Sequence, residues 1–268
     1  MTPHPPSSLH LGHGSHPGET GKNNEDCYAV TPFPGQGGGQ TLTLAVVADG
    51  IGGNRAGEVA SELAVQAMIN YVDQSQGDDY RLVLERAMGH AARVIGERSQ
   101  AQPEYRGMGT TCAAALIVGR RVFTVYVGDS RLYLARGGGI RQTSVDHTFI
   151  QEAIEAGLLT REEAKTHPHR HVVRRHLGGD PNVKPDFRLR LADGETPEQA
   201  ERNQGLALQA GDVVLLCSDG LSDVVEANEI WEALKGREPQ AAVDALIMLA
   251  RQRGGRDNIT VVVIQVMD

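Results

Sequence analysis

At 268 residues, 40% of them hydrophobic and 22% charged, the chain is long enough to bury a full core and has the composition of an ordinary globular protein. Its formal net charge of −8 argues against a nucleic-acid binder, whose footprint is a basic excess, and no apolar run approaches the ~20 residues that cross a bilayer. Three scattered cysteines, Cys27, Cys112 and Cys217, suit neither a zinc cluster nor a complete disulfide set, which points to a reducing, cytoplasmic setting.

The first 17 residues hold Pro, Ser, His and Gly without a signal pattern and read as a flexible tail, leaving a single domain over 18–268. A short strand at 27–31 and a glycine-rich loop precede an apolar run at 43–48, a buried strand that ends in Asp49-Gly50-Ile51-Gly52-Gly53. Two helices follow, one with Ala60, Leu63, Ala64, Ala67 and Tyr71 on its apolar stripe, the other over 79–99 with Leu84, Ala87, Met88, Ala91 and Ile95. Short β-type runs at 110–118, 122–127, 132–135 and 140–143, split by glycine turns, predict an antiparallel meander.

The pattern then turns helical. Asp146 is placed to cap a short helix carrying Phe149, Ile150 and Ile154, and Thr160 with Glu163 forms a capping box for another. Strands return at 187–191 and 206–208, with 192–204 expected as a hairpin extension between them. The run 212–217 is an apolar strand that meets Ser218-Asp219-Gly220, a second strand-to-Asp-Gly junction. Helices at 227–234 and 239–252 and a β-branched strand at 259–266 complete an α+β pattern with mainly antiparallel sheets.

Four aspartates occupy comparable places. Asp49, Asp129 and Asp219 follow strands, and Asp257 precedes one; because antiparallel neighbours start where the other finishes, all four can reach one edge. Asp26 also borders a strand. Each alone could be a turn residue, but five converging acids would repel one another without cations, so the group implies bound metal. Oxygen-only ligands select Mg²⁺ or Mn²⁺. Ions of this kind lower the pKa of a bound water and can supply a nucleophile.

The motifs Asn-Asn-Glu-Asp (23–26), Asp-Gly-Ile-Gly-Gly (49–53), Gly-Met-Gly-Thr-Thr (107–111), Val-Gly-Asp-Ser-Arg (127–131), Ser-Asp-Gly-Leu-Ser-Asp (218–223) and Asp-Asn-Ile-Thr (257–260) resemble, in order, those of the type 2C metal-dependent protein serine/threonine phosphatases, bacterial members included. The resemblance implies a four-layer α-β-β-α sandwich of two antiparallel sheets flanked by helix pairs, with a helical flap over about 143–185. It implies that Asp49 bridges two metals, that the Gly50 carbonyl binds one, and that Asp219 and Asp257 hold the other. Asp26 and Glu25 match acids that bind metal-bound waters, and Asp129 matches the acid of a third, weaker site shared with Asp219 and assisted by Asp223. Phosphorylated proteins, the targets of a bacterial-type serine/threonine kinase, are the implied substrates of a monomeric enzyme.

Two positions depart from the family pattern. Gly21 stands where an arginine usually contacts the substrate phosphate, leaving Lys22 as the nearby charge, and Asn54 stands where bacterial members place a histidine. The first departure keeps open a second reading, a weakly active or inactive relative that regulates by binding phosphoproteins. His167, His169, His171 and His176, with Arg170, Arg174 and Arg175, read first as a solvated basic loop and second as a contact surface for phosphopeptide or for the third metal.

Overall fold

The structure, a computed structural model, describes residues 9–34, 40–51, 56–75, 79–180 and 182–267. In chain order its strands are β1 (Leu9–His16), β2 (Asp26–Phe33), β3 (Leu42–Ile51), β4 (Gly109–Thr110), β5 (Cys112–Val118), β6 (Arg121–Val127), β7 (Arg131–Arg136), β8 (Gly139–Gln142), β9 (Leu206–Ala207), β10 (Val213–Cys217) and β11 (Ile259–Val266). Its helices are α1 (Ala56–Gln74), α2 (Tyr80–Ala101), α3 (Phe149–Glu155), α4 (Arg161–Lys165), α5 (Pro197–Arg202), α6 (Asp219–Ser222), α7 (Ala227–Leu234) and α8 (Pro239–Gln252). One antiparallel sheet runs β1-β11-β10-β7-β8; the other runs β2-β3-β5-β6-β9, with β4 paired to the end of β3.

Alternation along the strands sorts side chains into three cores. Leu44, Val46 and Ala48 of β3 pack with Ala60, Leu84 and Met88 of α1 and α2. Ala45 and Val47, facing the other way, meet Val214, Leu216, Val262 and Ile264 between the sheets. Leu215, Val261 and Val263 pack beneath Ile230 of α7 and Leu246 of α8. The layers are therefore helix pair, sheet, sheet, helix pair, the four-layer sandwich the motifs imply. Each buried Val or Leu contributes roughly 1.5–3 kcal/mol. A one-residue slip of β3 would turn Ala45 and Val47 out of the inter-sheet layer, so its register is strongly specified.

Four expectations change. The flexible tail fails for 9–16, which form β1 against β11 from Leu9 with Val266 to His16 with Ile259. Its glycines let α8 lie close: a Cβ on Gly12 would stand 2.3 Å from the Pro239 carbonyl carbon. The run 187–191 makes no strand, and the hairpin expected over 192–204 contains α5, started by a Thr196–Gln199 capping box with Pro197 at its first turn. The helix expected from Asp146 is capped by Thr148, whose side chain accepts from the Gln151 N–H, because Asp146 is engaged by Arg131.

Candidate metal centre

The β2–β3 register sets Asp26 directly across from Asp49. Both share the face of Ala45 and Val47, so their carboxylates cap one end of the inter-sheet layer. From the opposite sheet come Ser218, just past β10, and Thr260 of β11, whose hydroxyls donate to Asp26 Oδ2 at 2.7 and 2.6 Å. The Ser218 hydroxyl is thereby taken from the N-terminus of α6, which has no side-chain cap. Asp26 Oδ1 is buried without a hydrogen-bond partner among the described residues, and so is Asp219 Oδ1.

The main chain around Asp49 is held on both sides. Its N–H donates to Thr111 Oγ1 at 3.1 Å, and its carbonyl accepts from the Thr111 N–H at 2.9 Å and the Thr110 hydroxyl at 2.8 Å. Gly50 N–H donates to the Glu25 carbonyl at 3.1 Å. Only glycine fits there, since a Cβ would stand 2.3 Å from the Gly57 carbonyl oxygen and 2.6 Å from that of Glu25. Close contact between the end of β3, the start of α1 and the Glu25 loop thus depends on two glycines.

Burial first, and then the neighbouring carboxylates, push the acids upward. Asp26 rises to about 7, Asp129 to about 8 and Asp219 to about 6, while Asp49 lies well above the usual carboxylate range. Asp49 and Asp219 share a hydrogen bond. Glu25 is raised by burial and by the charge of Asp257, and Lys22, exposed, pulls it back. Asp257 is exposed, and its Oδ1 accepts from the Asn258 N–H at 2.9 Å. Asp223 is raised by burial and stands 2.8 Å from Nδ1 of His171.

Asn258 is a functional residue whose role the sequence reading passed over. Its Oδ1 accepts from the Glu25 N–H at 2.7 Å, and its Nδ2 donates to the carbonyls of Pro17 and Asn23, both at 3.1 Å. One buried amide therefore fixes the loop that delivers Glu25 and Asp26. His147 does the same for Asp129: its Nδ1 accepts from the Gly128 N–H at 3.0 Å, its own N–H donates to the Gly128 carbonyl at 3.0 Å, and Nε2 lies 3.1 Å from Asp186. The signal available in sequence was their position beside an acid, in Asp-Asn and Asp-His pairs.

Among the described residues, no three His, Cys, Asp or Glu side chains already stand in a cage that would clasp an ion. Carboxylates this crowded share either a proton or a cation. The donor set fits a hard divalent cation: oxygen ligands only, two of them buried and otherwise unpartnered. Gly21 is exposed at φ +74° with nothing near its Cβ position, while Asn54, Gly52 and Gly53 lie outside the described residues. The thiols take no part, since burial pushes Cys27 to about 11 and Cys112 and Cys217 to about 12, far from thiolate at neutral pH.

Residues 14–252 match the family described as Protein phosphatase 2C. The serine/threonine protein phosphatase PstP of Mycobacterium tuberculosis is 40% identical over 225 residues, covering 84% of this chain and 40% of that protein, so the chain spans well under half the length of this relative. Protein phosphatase PhpP of Streptococcus pneumoniae is 33% identical over 252 residues, 92% of this chain and 93% of the relative. Among solved structures, the catalytic domain of PstP in complex with two manganese ions superposes with a TM-score of 0.79 at 36% identity, over 97% of this chain and 99% of that one.

Proposed function

The chain belongs to the protein phosphatase 2C family, and from that premise we propose that it hydrolyses phosphoserine and phosphothreonine in proteins with the help of two Mg²⁺ or Mn²⁺ ions. The observation that carries the proposal is the carboxylate crowd of Asp26, Asp49, Asp129 and Asp219, with its raised pKa values and its two orphaned buried oxygens. Asp49 would be the carboxylate shared by both ions, joined by the Gly50 carbonyl on one side and by Asp219 and Asp257 on the other. Asp26 and Glu25 would act through waters, and Asp129, Asp219 and Asp223 would make a weaker third site. When bound, the ions would acidify the attacking water and offset the charge of the phosphoryl oxygens.

The chain's own contribution is to hold that set in place. Ser218 and Thr260 orient Asp26, Thr110 and Thr111 fix the Asp49 main chain, and Asn258 ties down the loop of Glu25. Lys22, exposed at the rim, offers a point charge for phosphate in place of a bidentate arginine. The substrates would be the phosphorylated targets of a bacterial-type serine/threonine kinase, making the protein a monomeric signalling enzyme of the cytoplasm. Three free cysteines support the reducing setting, and no described helix is long and apolar enough to cross a membrane.

Hydrolysis of p-nitrophenyl phosphate and of a phosphothreonine peptide, with Mn²⁺ and with chelator, tests this reading. Metal-dependent turnover is expected, abolished in a folded Asp219→Ala variant. Folded wild-type protein that turns over neither ester with Mn²⁺ would overturn it.

A further inference from the structure

Two edge strands meet beside the acids. β1 is the edge of one sheet, β2 is the edge of the other, and the 17–25 segment joins them. In β1, Ser15 pairs directly with Thr260 of β11, so the two side chains project to one face. That face is the inter-sheet layer, since Leu9 and Leu11 on one strand and Val262 and Ile264 on the other lie in it. The Ser15 and Thr260 hydroxyls stand 2.8 Å apart, and Asn24 Nδ2 donates to Ser15 Oγ at 2.8 Å. The other end of the same amide, Asn24 Oδ1, accepts from the Asp26 N–H at 3.2 Å.

With the bond from Thr260 to Asp26 Oδ2, these contacts close a ring that begins and ends on Asp26. Its direction is fixed by its end groups. A main-chain N–H only donates, so the Asn24 amide turns its oxygen to Asp26 and its NH₂ to Ser15. A hydroxyl has one proton. Thr260 gives its proton to the carboxylate, so Ser15 donates to Thr260 and accepts from Asn24. The donors therefore run one way, from Asn24 through Ser15 and Thr260 to Asp26, and each bond polarises the next. Ser218 adds a second donor to the same carboxylate oxygen. Asp26 cannot turn without breaking both hydroxyl bonds, which leaves its buried, unpartnered Oδ1 as the atom available to a water on the metals.

We propose that Ser15 and Asn24 are positioning residues of the metal centre, which fix the Asp26 carboxylate through the Thr260 hydroxyl and so present its Oδ1 to metal-bound water. The inference rests on the phosphatase reading above. It gives the polar, glycine-rich strand β1 a direct part in holding the site. Neither residue belongs to the ligand set assigned above. Removing the Ser15 hydroxyl keeps every acid in place and loosens one of them.

Coupling to Thr260 separates this role from a general structural one. In chelator-treated Ser15→Ala, the Kd for Mn²⁺ measured by calorimetry is expected to rise about 10–100-fold, the usual cost of losing a partner that orients a metal-site group. Ser15→Thr, which keeps the hydroxyl, should restore most of that loss. In a Thr260→Val background the link to Asp26 is already cut, so Ser15→Ala should there change Kd by less than about threefold, because residues that act through one network are not additive. Ser15→Val, which favours a strand and also lacks the hydroxyl, carries the same comparison if the alanine variant fails to fold. Unchanged Mn²⁺ affinity in Ser15→Ala, equal losses in the two backgrounds, or a threonine variant as weak as the alanine one would overturn the assignment alone. Wild-type protein that binds no Mn²⁺ and hydrolyses neither p-nitrophenyl phosphate nor a phosphothreonine peptide overturns the phosphatase reading and the assignment together.

Discussion

Asn258→Ala is the sharpest test of how the acid-bearing loop is held. The side chain is buried, 7% exposed, and makes three hydrogen bonds to main-chain groups of the 17–25 segment. Pro17 and Asn23 are exposed, so water can replace the amide at their carbonyls, whereas the Glu25 N–H is partly buried. Three bonds at about 0.5–1.5 kcal/mol each, reduced where water substitutes, put the loss at about 2–3 kcal/mol. Urea unfolding should show this as a lower midpoint at unchanged slope. Because the same loop carries Glu25 and Asp26, Mn²⁺ affinity measured by calorimetry should fall as well. A variant within about 0.5 kcal/mol of wild type, the scale of a neutral surface change, and with full Mn²⁺ affinity would refute the argument.

Removing one carboxylate from the crowd should have opposite effects on stability and on metal binding. Asp49→Asn is expected to raise the Tm of chelator-treated protein, by a gain on the order of 1 kcal/mol or more, while abolishing the Tm rise that Mn²⁺ produces in wild type; a destabilised variant that still responds to Mn²⁺ would contradict this. For acid sensitivity the relevant pair is His147 with Asp186. Burial alone would raise Asp186, but its bonds to His147 and Arg188 hold it below the usual range, and burial lowers His147. Both folded-state pKa values therefore lie below the unfolded ones. The stability they contribute is present above about pH 6.5 for His147 and above about pH 4 for Asp186, and is lost as pH falls through each folded value. Asp186→Asn should flatten the fall in Tm below pH 5, and an unchanged acid limb would count against the pair. Gly21→Arg supplies a guanidinium at the rim, but at φ +74° a side chain costs roughly 1–2 kcal/mol. It should lower KM for phosphopeptide and lower Tm together, and an unchanged KM would show that the position does not reach phosphate.

The placing of Asp49, Asp129 and Asp219 at strand ends was legible because each follows an apolar run and is flanked by glycine or serine, as at Ala48-Asp49-Gly50 and Ser218-Asp219-Gly220. The sequence carried β1 poorly. Leu-His-Leu-Gly-His-Gly-Ser-His is too polar and too glycine-rich to read as a strand, and its reason for existing is a partner, β11, about 250 residues away, together with a helix that needs the missing Cβ atoms. The Thr196-Pro197-Glu198-Gln199 start of α5 is a legible helix signal, but it lies in a polar, exposed stretch that lacks an apolar stripe. Asn258 and His147 act through hydrogen bonds to the main chain of distant loops, and no local pattern encodes those partners.

The acid crowd draws its members from both sheets. Asp26 and Asp49 ride on β2 and β3, while Asp219 and Asp257 ride at the ends of β10 and β11. Their separation is therefore gauged by the thickness of the apolar filling between the sheets, where Ala45, Ala113 and Ala115 lie opposite larger partners such as Val262 and Ile264. A methyl group added or removed in that filling, far from any carboxylate, would act as a spacer adjustment, tuning which cation radius the two jaws accept.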